Sequence, residues 1–206
     1  MTTMTVNTEK NVPGSGSSDR SKIYRLVAIG FMSALVYIGN YMQIKIGAGD
    51  GATRIHLGNS MCLLAALLFG GVSGGLSSGI GGALFDLFDP VYITSAPYTF
   101  FSKFALGFTA GALRRLGKES KLKTILAAVA GQIVYIILYL GKTFVSQLLI
   151  GEPVNVALAS VGVKAAASSI NGALAVLIAV PLYYAISAAL KHTGFGALIG
   201  HKSETV

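Results

Sequence analysis

The sequence predicts an all-α integral membrane protein, a bundle of six transmembrane helices with N- and C-termini cytoplasmic. Three observations carry this reading. The 206-residue chain is 53% hydrophobic and only 12% charged, with mean hydropathy +0.67; a soluble domain carries roughly 25% charged residues. Six apolar runs follow one another, leaving no room for a sizeable soluble domain. Finally, the charges behind the formal net +8 are clustered. Of 16 Lys and Arg, 4 lie before or at the start of the first run (Lys10, Arg20, Lys22, Arg25), 5 lie between residues 114 and 123, and 2 follow the last run (Lys191, Lys202). That is the positive-inside pattern of a membrane protein and argues against a nucleic-acid-binding face.

Residues 1–21 read as a disordered cytoplasmic tail. They are polar and lack the apolar segment and cleavage site of a signal peptide. Run one, Tyr24–Ile46, is long enough to cross a bilayer that needs about 20 helical residues. Its small residues Ala28, Gly30 and Ala34 include the spacing Gly30-x-x-x-Ala34, which suits close helix contact within the bundle or with a partner. Chance in an alanine-rich helix gives the same spacing. The glycine-rich segment 47–56 fits either a lid or an ordinary connector.

Run two, Leu57–Phe69, is short for a full span. The glycines from Gly70 to Gly75 read as a turn into run three, Leu76–Phe88. Pro90 and Pro97 bracket the next loop, because proline disfavours helix at the residue before it. Run four covers Pro97–Leu113, and the basic segment Arg114–Lys123 follows. Run five, Thr124–Ile150, ends at Gly151-Glu152-Pro153. Run six, Val156–Leu190, carries Pro181 near its end, a place to tilt or kink. With the N-terminus in the cytoplasm, runs two, four and six return there, and both later basic clusters fall inside. Residues 22–190 thus form one membrane domain, and 191–206 a cytoplasmic tail.

Charged groups inside such runs are costly and mark functional positions. Asp86 and Lys103 lie on neighbouring antiparallel runs at similar depth near the outer face. They suit either an ion pair with each other or contact with a ligand. On run five, Gln132, Tyr135, Tyr139, Lys142 and Ser146 are spaced to share one helix face. Lys164, Ser168 and Asn171 do the same on run six. Two such stripes face the bundle interior, a cavity or a partner. The surplus of Lys103, Lys142 and Lys164 over Asp86 favours a ligand with a carboxylate, a phosphate or an oxygen-bearing electron-rich ring. Tyr92, Tyr98, Tyr135 and Tyr139 offer flat faces to such a ring.

No Walker phosphate loop, HExxH or G-x-S-x-G element is present, so the sequence points to no enzyme and to no ATP hydrolysis by this chain itself. Cys62 stands alone, which rules out an intrachain disulfide or a thiolate metal site. No cofactor or metal site is expected.

Residues 22–190 resemble the substrate-binding S components of energy-coupling factor (ECF) vitamin transporters. The resemblance rests on the Gly30-to-Ala34 motif, on LGNSMCLLAALLFGGVSGGLSSGIGGALFDLF and on SAPYTFFSKFALGFTAGALRR. The chain is most similar to the riboflavin-type branch, which includes proteins linked to pyridoxine and hydroxymethylpyrimidine. The resemblance implies a six-helix bundle that binds one vitamin from outside and works with a transmembrane scaffold and two cytoplasmic ATPases. It implies docking on the scaffold through Ala28, Gly30 and Ala34, although Gly30 stands where many members have alanine. It implies a lid at 47–56. By position it implies ligand contacts at Asn59, Asp86, Tyr92, Lys103, Tyr139, Lys142, Lys164 and Asn171. The chain has no tryptophan, so stacking falls to tyrosine or phenylalanine. Two other readings stand beside this one: an ion-coupled secondary transporter using Asp86 and Lys103, and a membrane scaffold without a small ligand.

Overall fold

The computed structural model describes residues 15–46, 53–118 and 120–190. Among them are six α-helices: α1 (Ser15–Tyr41), α2 (Gly58–Phe69), α3 (Gly71–Leu87), α4 (Ala96–Arg115), α5 (Lys121–Leu149) and α6 (Val154–Leu190). Two short strands, β1 (Gln43–Ile46) and β2 (Thr53–His56), pair antiparallel between α1 and α2.

The most apolar short helix takes the centre. With 12 residues, α2 is only about 18 Å long at 1.5 Å per residue. It is apolar all round, and Leu63 and Leu67 are wholly buried; a helix of that kind must be enclosed on every side. It packs against α1, α3, α4 and α6. The outside of the bundle is also apolar, with Leu26, Phe31, Ile137 and Leu177 among its exposed side chains. Segments Ser21–Tyr41, Lys121–Leu149 and Val154–Leu190 are long and apolar enough to cross a membrane.

The glycines of α3 let three neighbours approach at once. Gly74 abuts Ala66 of α2, Gly79 abuts Phe100 of α4, and Gly81 abuts Ser33 and Val36 of α1. Van der Waals contact at such small residues holds membrane helices together where lipid supplies no hydrophobic drive. On α4, Phe100, Phe104 and Phe108 stack in sequence along this seam, with centroid separations of 6.2 and 5.8 Å.

The structure revises several expected boundaries. The first helix starts at Ser15, inside the stretch read as a disordered tail, and ends at Tyr41 rather than Ile46. Gln43-Ile44-Lys45-Ile46 alternates polar and apolar residues, the period of a strand, and pairs with Thr53–His56. The predicted glycine turn shrinks to Gly70, whose φ of +82° breaks the chain between α2 and α3; helix resumes at Gly71. The end of α6 is as expected, with Pro181 inside the helix and Leu190 its last residue. Residues 1–14, most of the proposed lid (47–52) and the tail 191–206 lie outside the described residues.

The two ends of the bundle differ. At one end Arg25 Nε donates to Ser73 Oγ at 2.6 Å, tying the start of α1 to α3. Arg115 packs over Gly70 at the same end, and Arg114 donates to the hydroxyl of Tyr183. At the opposite end lie the hairpin and the turn Tyr92–Ser95.

Candidate functional site

The hairpin end holds a cavity of about 200 Å³ among α1, α3, α4, α5, α6 and β2. Of the eight ligand positions expected from sequence, seven line it: Asp86, Tyr92, Lys103, Tyr139, Lys142, Lys164 and Asn171. Both polar stripes converge here, since Tyr135 and Ser146 from α5 and Ser168 from α6 also face it. Asn59 does not. It lies one layer beneath, almost fully buried, where its Nδ2 donates to Gln132 Oε1 at 3.3 Å.

Asp86 is not paired with Lys103. Arg54 of β2 reaches it instead, with Nη2 at 2.9 Å from Oδ1, while Thr99 Oγ1 donates to Oδ2 at 2.5 Å. Both carboxylate oxygens are therefore engaged inside the protein. The same guanidinium lies 3.6 Å from Asp89 Oδ2 and covers the Tyr92 ring at 3.8 Å from its centroid. Planar, delocalised and always charged, it suits a carboxylate and an aromatic face together.

Lys103 is also buried, and its Nζ donates to Asn40 Oδ1 at 2.7 Å. Its stem runs past Gly82, where any larger residue would obstruct it. Lys142 Nζ donates to Ser95 Oγ at 2.5 Å and lies 5.7 Å from the Tyr98 ring centroid. The Tyr98 hydroxyl in turn donates to Leu138 O on α5 at 2.5 Å. Tyr135 and Tyr139 stack nearly parallel, 6.0 Å apart with an 8° interplanar angle, and form an aromatic wall.

Asn171 lines the cavity but spends both ends of its amide on the hairpin. Its Oδ1 accepts from His56 N at 3.0 Å, and its Nδ2 donates to Arg54 O at 2.8 Å. His56 Nδ1 accepts from Gly58 N at 3.1 Å. Burial, reinforced by the nearby charges of Lys103 and Arg54, holds the His56 imidazole well below its ordinary pKa of 6.5 and keeps it neutral.

Sequence reasoning placed Arg54 and His56 in a loop without giving them a task. The available signal was an arginine on the same outer side as a lone acid, Asp86. Their separation of 32 residues hid the pairing. Asn40 and Thr99 carried no signal beyond being polar near a helix end.

A second concavity, of about 620 Å³, lies on the apolar flank between α1 and α3. Gly30 and Ala34 line it, and nothing lies within 4 Å of a Cβ built at Gly30. Ala28 does not share this face, because residues two apart on a helix differ in direction by about 200°.

An apolar helical bundle with a polar cavity beneath a hairpin defines a multi-pass membrane protein with an internal polar chamber. The family of the ECF-type riboflavin transporter S component matches residues 20–188, and the chain belongs to it. S components are the substrate-binding membrane subunits of vitamin transporters and are not enzymes. A solved structure described as "Structure and mechanism of the S component of a bacterial ECF transporter" shares the fold, with TM-score 0.66 at 21% identity over 83% of this chain and 99% of that one. No curated protein matches the chain.

Proposed function

We propose that this S component binds a water-soluble vitamin or vitamin precursor from the outer side, in the cavity beneath the β1–β2 hairpin. It then delivers that ligand through a transmembrane scaffold energised by two ATPases. The observation that carries this reading is the cavity itself, which gathers seven of the eight expected positions at one end of an apolar bundle. Polar groups so placed in a membrane protein are costly unless they serve a ligand or a path.

Pyridoxine-type vitamers, a hydroxymethylpyrimidine and riboflavin all offer hydrogen-bonding groups on a flat ring. A volume of about 200 Å³ lies below the roughly 300–1,000 Å³ usual for drug-sized ligands, which favours the one-ring compounds over fused-ring riboflavin. For scaffold docking, the groove at Gly30 and Ala34 supports α1 as the contact face. An ion-coupled carrier is less well supported, because the acid it would use already has both oxygens bound by Arg54 and Thr99.

Native mass spectrometry of the purified protein, with identification of any molecule released on denaturation, tests this. One vitamin at near-equal stoichiometry is the expected result. A protein that is empty and also fails to bind a vitamin panel would overturn the reading.

A further inference from the structure

We infer that the ligand is an anion: a single flat ring carrying one carboxylate or phosphate. This rests on the vitamin-binding reading of the same cavity and narrows it. The inference starts from a charge balance inside the chamber. Asp86 is the sole acid lining it among the described residues, and both its oxygens are already bound, one by Arg54 and one by Thr99. Arg54 is likewise committed to Asp86 and Asp89. Beside that internally compensated group, Lys103 and Lys142 line the chamber with no carboxylate within ion-pair distance among the described residues.

Lys103 is the decisive member. It is 3% exposed, its one described hydrogen bond goes to a neutral amide oxygen, and no carboxylate lies within ion-pair distance among the described residues. An ammonium has three donors, so two remain for the chamber. Burying a cation without a counter-charge costs several kcal/mol. A carboxylate or phosphate on the ligand would supply that charge through short, charge-assisted hydrogen bonds. Lys142 is only half-buried and is held by a neutral hydroxyl. The Tyr135–Tyr139 wall receives the ring, and the cavity volume limits the ligand to about one ring.

The test compares neutral and anionic versions of one ring on the detergent-purified full chain by isothermal titration calorimetry. The probes are pyridoxine, 4-pyridoxate and pyridoxine 5′-phosphate, with nicotinamide and nicotinate as a second pair. At least one anion should bind tenfold or more tighter than its neutral counterpart; which one does so separates carboxylate from phosphate. Lys103→Met should bring that ratio close to one. Lys142→Met, at a less buried position, should lower it as well, and so provides a second reading if Lys103→Met folds poorly. Using the ratio removes any general loss of folded protein. Neutral probes binding as well as the anions, or a ratio unchanged in both variants, would overturn the inference. A neutral vitamin co-purifying with the protein would overturn it too, while leaving the S-component reading intact. If no probe binds and nothing is released on denaturation, both readings fall together.

Discussion

Arg54 of the hairpin and Asp86 of α3 form an ion pair of 2.9 Å that crosses the top of the cavity and fastens a two-stranded flap to the helical bundle. Asp86 is buried and Arg54 nearly so, with side-chain exposures of 3% and 18%. Removing either partner leaves a desolvated charge behind. Breaking a buried pair from one side costs about 3–5 kcal/mol, and the partial exposure of Arg54 puts this case toward the lower end. Arg54→Met and Asp86→Asn should each lower the thermal unfolding midpoint in detergent. The double variant should lose less than the sum of the two, with a coupling of roughly 1–3 kcal/mol. Strict additivity would show that the pair contributes nothing as a pair.

Asn171 should act as the hinge pin of the same flap. Its amide satisfies His56 N–H and Arg54 C=O together, so Asn171→Leu would leave two backbone groups of β2 without partners. Each unsatisfied buried group costs about 1–3 kcal/mol. Hydrogen exchange in the peptide spanning 53–58 should therefore accelerate at least tenfold, while exchange in α2 stays unchanged. Equal acceleration in both segments would instead indicate global destabilisation.

The hairpin should loosen in acid. Because His56 is held neutral in the folded protein, its folded pKa lies below the unfolded value of about 6.5. Below that pH the unfolded or open form takes up a proton that the closed form refuses. The stability contributed by the neutral imidazole is therefore complete above about pH 6.5 and declines as the pH falls, by up to about 1.4 kcal/mol per pH unit. His56→Asn places an amide oxygen near the Nδ1 position and does not titrate. The difference in unfolding midpoint between pH 7.5 and pH 5.5 should be smaller in this variant than in the wild type. Equal differences would remove His56 from the account.

Glycines should separate into two kinds according to what surrounds them. A Cβ at Gly107 would lie 2.7 Å from the Gly74 carbonyl oxygen and 2.8 Å from Ser78 Oγ, whereas Gly141 has nothing within 4 Å. Gly107→Ala should then cost about 1–3 kcal/mol from overpacking. Gly141→Ala should be neutral, or stabilising by up to about 1 kcal/mol as a helix-interior glycine is replaced. Unfolding midpoints in detergent distinguish the two, and similar values would contradict the packing described for the α3–α4 seam.

Much of the fold was legible because membrane helices announce themselves by length and apolarity, and six runs mapped onto six helices. The polar face of α5 was legible because its 3- and 4-residue spacing fixes a direction whatever the tertiary structure. The Arg54–Asp86 pair was not, since nothing local links a loop arginine to an acid 32 residues on. Asn171 illustrates a subtler limit. Its placement at the cavity was readable from periodicity, yet its attachment to the backbone of β2 depends on a hairpin that alternation over four residues only weakly signals. Ala28 marks the reverse error, a small residue grouped with Gly30 by composition although helix geometry turns it away.

The α1 groove leads to the last prediction, which concerns partners. Gly30 is exposed on the apolar flank with open space above it, and Ala34 lies one turn along the same groove. Large side chains there would fill a surface concavity without touching the core, so Gly30→Leu and Ala34→Leu should leave the unfolding midpoint within about 0.5 kcal/mol of wild type, the usual range for surface changes. Ligand affinity should also be unchanged, since the cavity lies at the hairpin end, where α1 contributes only Asn40 to its lining, and neither Gly30 nor Ala34 lines it. If α1 is the face that meets the scaffold, the same variants should lose co-purification with the scaffold and ATPases, along with ATP-dependent uptake, because close approach at small residues is what helix association in lipid requires. Ala28→Leu, pointing elsewhere, serves as the control and should interfere less. Retained co-purification in both groove variants would move the docking face away from α1 while leaving the binding chamber untouched.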